Sequence, residues 1–148
     1  MAQPLRLQHE IDPAQEIIAE TSGLLSSFKI RPYDVMLVMY QRGLIAGEKR
    51  LRSGLFLANN ATGTVREDTF QGKVGLVMKV GSLAFTDEDD HKWAGFTPKV
   101  GDWVAISVAD SQFGFEISPA PGKTEGRKIR IVDENFIRMI VQEPDVIW

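Results

Sequence analysis

From Lys29 onward the apolar residues fall in short runs of period two, bounded by Gly, Pro, Asp and Asn, which is the pattern of strands separated by turns. Val35, Leu37 and Met39 alternate with Met36, Val38 and Tyr40, so the run over 35–41 is apolar on both sides and predicts a strand buried on both faces. In the run over 73–80, Val74, Leu76, Met78 and Val80 make one cleaner inward face. Trp103, Ala105 and Ser107 oppose Val104, Ile106 and Val108 after the turn Pro98-Lys99-Val100-Gly101-Asp102. Further strands are expected over 112–117, 127–132 and 137–142. Many short strands with little helix between them predict an all-β domain, and closure into a small barrel is the economical way to protect the strand edges.

Two segments break the alternation toward helix. Asp12-Pro13-Ala14-Gln15 reads as a helix start, with Asp12 as N-cap, Pro13 at the first helical position and Gln15 placed to close a capping box. Ala14, Ile17 and Ile18 then share a face, and Ser22-Gly23 reads as the stop. A helix so short is not stable alone, so its Ile17/Ile18 side must lean on the domain or on a neighbouring subunit, as an appendage to the barrel. Residues 133–136 read as a second, shorter helical turn.

Between the strands at 35–41 and 73–80 lies a long polar connection, residues 42–71, with one apolar tripeptide inside it, Leu55-Phe56-Leu57. Connections longer than about 12 to 15 residues are uncommon in compact domains and tend to be functional. An isolated group of three large apolar side chains in such a connection reads as a docking element. Residues 82–97, with the acidic run Asp87-Glu88-Asp89-Asp90 followed by His91-Lys92-Trp93, read as a hairpin with a solvated tip. Residues 118–126, rich in Pro and Gly, read as a surface loop.

Composition then narrows the chemistry. The chain has 148 residues, 43% of them apolar, enough for one domain with extensions. With 17 Lys and Arg against 20 Asp and Glu, the net charge of -3 gives no general reason to expect nucleic acid or an anionic membrane as a partner. The chain has no cysteine, which excludes disulfides, thiolate zinc sites and cysteine nucleophiles together. No apolar h-region opens the sequence and no stretch approaches the roughly 18 apolar residues of a membrane span, so a soluble, cytoplasmic protein is expected.

Catalytic patterns find little support. Gly43-Leu44-Ile45-Ala46-Gly47-Glu48-Lys49 resembles a phosphate loop only superficially: its glycines are too close, and Glu48 displaces the lysine. The carboxylates of residues 87–90, in a strand-like hairpin, point alternately to opposite faces and converge poorly on a cation. His9 and His91 are the only histidines, and no Gly-Xaa-Ser-Xaa-Gly element accompanies them. Arg42, Lys49, Arg50 and Arg52 with Phe56 and Phe70 also suggest a single-strand-binding surface, but their clustering in one loop of an acidic chain argues against it. No enzyme activity, cofactor or metal is expected.

The ordered elements resemble the GroES-type co-chaperonins. Ile30-Arg31-Pro32-Tyr33-Asp34 is similar to that family's opening Ile-Arg-Pro-Leu stretch before its first long barrel strand. Ser53-Gly54-Leu55-Phe56-Leu57 resembles its Gly-Gly-Ile-Val-Leu element, and Gln71-Gly72-Lys73-Val74-Gly75 its Arg-Gly-Glu-Val strand. Val80-Gly81-Ser82 looks like the approach to its roof hairpin, and Lys99-Val100-Gly101-Asp102-Trp103-Val104 its Lys-Val-Gly-Asp-Xaa-Val run. Residues 131–140 match its closing Ile-Met-Xaa-Glu-Xaa-Asp-Ile-Leu-Ala pattern loosely. The resemblance covers about 28–142. It implies a GroES-like barrel over 28–142, with a mobile loop at 42–71 and a roof hairpin at 82–97, preceded by a helical extension (1–27) and followed by a tail (143–148).

The resemblance further implies a homo-oligomeric ring, typically a heptamer, that caps a chaperonin cylinder in an ATP-dependent cycle and assists protein folding. Gly54, Leu55, Phe56 and Leu57 would bind the chaperonin's apical domains. Phe28, Lys29, Ile30 and Arg31 of one subunit would pair with Ile137, Met139, Ile140 and Val141 of the next. Burying Leu55, Phe56 and Leu57 gains roughly 5 to 8 kcal/mol gross, whereas ordering even ten loop residues costs on the order of 10 kcal/mol. A single loop is therefore a weak binder, and several loops on one ring bind together at high effective concentration. The chain departs from the family in its length, in Ser53 for the first glycine, and in the added segments at both ends and at 118–126. Such enlarged members resemble bacteriophage co-chaperonins, acting in the host cytoplasm. The alternative is a phage virion protein, a capsid decoration or stabilising subunit, that uses the same barrel and anchors through its extensions.

Overall fold

The computed structural model describes residues 11–40, 72–86, 93–109, 112–119, 121–122 and 126–144, together with the backbone pairing of 48–50 and 56–58. In chain order the elements are α1 (Pro13–Leu25), β1 (Asp34–Met39), β2 (Glu48–Arg50), β3 (Phe56–Ala58), β4 (Val74–Val80), β5 (Trp103–Ile106), β6 (Phe113–Ile117), β7 (Arg127–Asp133), a 3₁₀ turn (Glu134–Phe136) and β8 (Ile137–Val141). Six strands form one antiparallel sheet in the order β6-β7-β1-β4-β5-β8, and β2 pairs with β3 separately. The protein is thus predominantly β, and each strand expected from the alternation is present, its ends moved by a residue or two.

β1 is central, and every one of its residues is buried, as its two-sided apolar pattern requires. Met36 and Val38, with Tyr40 just beyond the strand, join Val74, Leu76, Trp103, Ala105 and Ile129 in one core layer, where the Tyr40 and Trp103 rings meet edge to face at 5.6 Å. Val35, Leu37 and Met39 join Val77, Val104, Ile106, Val132 and Ile137 on the opposite face.

Helix α1 covers the first of these layers. Ile17, Thr21 and Leu25, spaced four apart, are its buried residues, whereas Ile18 is 41% exposed. The expected Ile17/Ile18 contact is therefore a contact of Ile17, Thr21 and Leu25, and the helix is part of the core, not an appendage beside it. The Thr21 hydroxyl donates to the Ile17 carbonyl at 2.6 Å, which satisfies a buried polar group inside the helix. The capping box is absent: Asp12 is the N-cap residue but its side chain makes no capping bond, and its carbonyl accepts from Glu16 N–H at 3.0 Å. The helix also runs past Ser22-Gly23 to Leu25, because that extra length brings Leu25 onto the sheet. Its last carbonyls find donors in Ser26 Oγ (to Gly23, 3.0 Å), Ser27 Oγ (to Leu24, 2.8 Å) and Lys79 Nζ (to Leu25, 3.2 Å). Arg127 at the start of β7 pins the helix from the side, reaching Glu20 at 2.7 Å and Glu16 at 3.2 Å.

The 3₁₀ turn fixes the curvature of the sheet. β7 and β8 lie four strand positions apart, with Asp133 level with the start of β1 and Ile137 level with the far end of β5. In a flat sheet those two residues would stand about 30 Å apart, from a strand spacing of about 4.8 Å and a rise of about 3.3 Å per residue. The four links between them reach about 14 Å at most. The sheet must therefore coil strongly, and the turn is bonded at both ends of the jump: Glu134 N–H donates to Tyr33 O at 3.1 Å, and Ser107 N–H to Phe136 O at 2.8 Å. Coiling brings Val132 of β7 and Ile137 of β8 into one apolar cluster, so the second core layer is closed by the sheet rolling over itself.

Gly81 serves this junction. A Cβ there would stand 2.3 Å from the Pro32 carbonyl oxygen and 2.5 Å from that of Arg31, so only glycine lets the end of β4 pass the approach to β1. Its N–H donates to Asp34 O at 2.8 Å.

Candidate functional site

The apolar tripeptide lies in the connection between β1 and β4, two neighbouring strands at the centre of the sheet. The connection is not wholly irregular. β2 and β3 pair antiparallel within it, Glu48 opposite Ala58, Lys49 opposite Leu57 and Arg50 opposite Phe56. Phe56 and Leu57 therefore belong to a strand, while Gly54 and Leu55 lie outside the described residues. Among the described residues this hairpin pairs with no strand of the six-stranded sheet. A two-stranded ribbon on its own is at best marginally stable in water. Its polar signal, short runs flanked by Lys, Arg and Asn, gave no strand reading.

The residues proposed for joining subunits separate into two groups. Ile137, Met139, Ile140 and Val141 form β8, an edge strand whose inner side pairs with β5. Arg138 is an extra residue there: Ile106 faces Ile137 and Ala105 faces Met139, so the register shifts by one. Ile137 is consequently buried in the rolled face, while Met139 and Ile140 are 42% and 37% exposed.

Phe28, Lys29, Ile30 and Arg31 form no strand in the isolated chain. Phe28 N–H donates to Leu25 O at 3.1 Å, and its carbonyl accepts from Lys79 Nζ. Ile30 packs against the core layer under α1. The Arg31 carbonyl accepts from Asp34 N–H at 3.1 Å, and its guanidinium, largely in solvent, reaches the Asp34 carboxylate at 3.0 Å.

Sequence reasoning missed the other edge of the sheet. β6 carries Phe113 and Phe115, whose rings lie 5.7 Å apart, and Phe28 stands edge-on to Phe115 at 5.9 Å. Phe113 is 63% exposed. The alternation Phe113-Gly114-Phe115 was the available signal. Behind this edge Arg130 of β7 is nearly buried, donates Nη1 to Gln112 Oε1 at 3.0 Å, and has its pKa lowered by desolvation.

The base of the expected roof hairpin is built from Phe85 and Trp93, whose rings meet edge to face at 6.2 Å against the rolled core layer. Phe85 adopts φ 59° and its N–H donates to the Glu134 carboxylate, tying this loop to the 3₁₀ turn. The acidic tip, residues 87–92, lies outside the described residues, as do His9 and residues 145–148 of the tail. Among the described residues no group of three or more His, Cys, Asp or Glu is arranged to hold a metal ion, and no helix is long and apolar enough to cross a membrane.

No family model and no curated protein matches this sequence.

Proposed function

We propose that this chain is a GroES-type co-chaperonin, a ring-forming lid that docks on a chaperonin's apical domains through Gly54, Leu55, Phe56 and Leu57 in an ATP-dependent cycle. The observation that carries the reading is the separate β2–β3 hairpin. It holds Phe56 and Leu57 of the apolar tripeptide in an insertion between central strands, and among the described residues it pairs with none of those strands. Three further features support it. The six-stranded sheet rolls over one apolar face, as a small barrel of this family would require. Phe85 and Trp93 buttress the base of a loop at the position of the roof hairpin. The edge strand β8 presents Met139 and Ile140 for a neighbouring copy.

The test is ATP-dependent binding to a GroEL-type chaperonin, by surface plasmon resonance, for the natural chain and for Phe56→Asp. Each loop of the variant loses about 2 kcal/mol or more of apolar burial and gains a carboxylate to desolvate. Multiplied around a ring, this should reduce binding by more than about 100-fold while native mass spectrometry finds the ring intact. Undiminished binding by Phe56→Asp would sink the docking assignment. Incorporation of the natural chain into phage particles, without chaperonin binding, would favour the virion alternative instead.

A further inference from the structure

We infer that Lys79 is a positioning residue for assembly: it holds Phe28 to the end of α1 and so turns the backbone of Lys29 outward, to bond with the next copy. The inference rests on the ring reading above, in which residues 28–31 join subunits, and names the device that fixes how this segment is presented.

The segment alternates as an extended chain does. Phe28 stands edge-on to Phe115, Lys29 is exposed, Ile30 packs against the core layer under α1, and the Arg31 side chain is 86% exposed. Pro32 acts in the same direction, because the residue before a proline is pushed toward extended backbone. In extended backbone the N–H and C=O of one residue point to the same side, and those of the next residue point to the other. Phe28 has both groups turned toward its own chain: its N–H donates to Leu25 O at 3.1 Å, and its carbonyl accepts from Lys79 Nζ. The N–H and C=O of Lys29 therefore face away, and neither has a hydrogen-bond partner among the described residues. The Arg31 N–H follows Lys29, whereas the Arg31 carbonyl is taken by Asp34 N–H and Pro32 has no N–H. The ladder offered to a neighbour is thus Lys29 N–H, Lys29 C=O and Arg31 N–H.

Lys79 is placed to enforce this arrangement. It stands opposite Met36 in the β1–β4 ladder, on the face of the sheet that α1 covers. Its ammonium bonds the Leu25 carbonyl at 3.2 Å as well as the Phe28 carbonyl, so one cation joins the last residue of the helix to the first residue of the segment. The helix dipole favours a cation at that end. Without the ammonium, the Phe28 carbonyl loses its inward partner, and the segment is free to turn Phe28 outward in place of Lys29. Lys79 and the end of α1 together act as the inner partner of the segment, and the next copy is the outer one.

The test is assembly of full-length variants, read by native mass spectrometry over a dilution series, with urea unfolding to check that each variant folds. Lys79→Met keeps the stem and removes the ammonium, and the midpoint concentration for assembly should rise at least about 10-fold, the worth of one hydrogen bond to a charged group. Lys79→Arg, which keeps a cationic donor, should recover most of that loss. Lys29→Pro deletes the outward N–H at an exposed position and should abolish the ring, whereas Lys29→Ala should leave it intact. Amide hydrogen exchange gives a direct readout: the Phe28 N–H should be protected in protomer and ring alike, and the Lys29 N–H in the ring alone. Undiminished assembly of Lys79→Met or of Lys29→Pro, or a Lys29 amide that exchanges as fast in the ring as in the protomer, would overturn the inference and leave the ring reading standing. A natural chain that stays monomeric at all concentrations would overturn both.

Discussion

Replacing Ile17 by Ala should destabilise the chain by about 3 kcal/mol, whereas replacing its neighbour Ile18 should change stability by about 0.5 kcal/mol or less. Ile17 is 1% exposed and sits among Met36, Val38, Leu76 and Trp103, under a helix whose buried line continues through Thr21 and Leu25. Truncation to Ala removes three carbons from that contact, about 0.8 kcal/mol each by transfer, and leaves a cavity the sheet cannot fill. Ile18 is 41% exposed, and the better helix propensity of Ala offsets what little burial it loses. Urea unfolding followed by tryptophan fluorescence, at one fixed protomer concentration, measures both. With a slope of about 2 kcal/mol per molar, the Ile17→Ala midpoint should fall by about 1.5 M and the Ile18→Ala midpoint should barely move. Equal shifts, or an Ile17→Ala loss under about 1 kcal/mol, would refute the claim that α1 is part of the core.

Two glycines should respond in opposite directions. Gly81→Ala should cost about 2 kcal/mol or more, because its Cβ would meet backbone oxygens that cannot withdraw. Gly23→Ala, in α1 with open space around its missing Cβ, should stabilise by about 0.5 to 1 kcal/mol; thermal melts check both. Arg127→Ala should cost about 1 to 3 kcal/mol, since it removes one ion-pair partner from each of Glu16 and Glu20, two carboxylates one helical turn apart. This figure is below that of a fully buried pair because Glu16 remains partly exposed. Arg127→Met, which keeps the apolar stem, should lose less than Arg127→Ala in the same melts if packing contributes.

The strands were legible because their signal is local. Alternation in β1, β4 and β7 follows from which face each residue buries, and a two-sided apolar run such as Val35 to Tyr40 can only sit inside. The order β6-β7-β1-β4-β5-β8 was not legible, since it depends on how far the sheet coils, and that is set by a turn of three residues bonded to Tyr33 and Ser107. The stop at Ser22-Gly23 misled because local helix-ending signals were outweighed by the burial of Leu25 beyond them. Within the candidate site, the Leu55-Phe56-Leu57 island was visible as apolarity in a polar stretch, but the pairing of Phe56 and Leu57 in a hairpin was not. The value of Phe113 and Phe115 at an open edge depends on β6 being outermost, which one strand's sequence cannot reveal.

The most direct test of the account is native mass spectrometry of the full-length chain, alone and with a GroEL-type chaperonin in the presence and absence of ATP. The account predicts a closed ring, seven copies by the family resemblance, that associates whole with the chaperonin only when ATP is present. A monomer, or a ring that never associates with the chaperonin under any nucleotide condition, would contradict it.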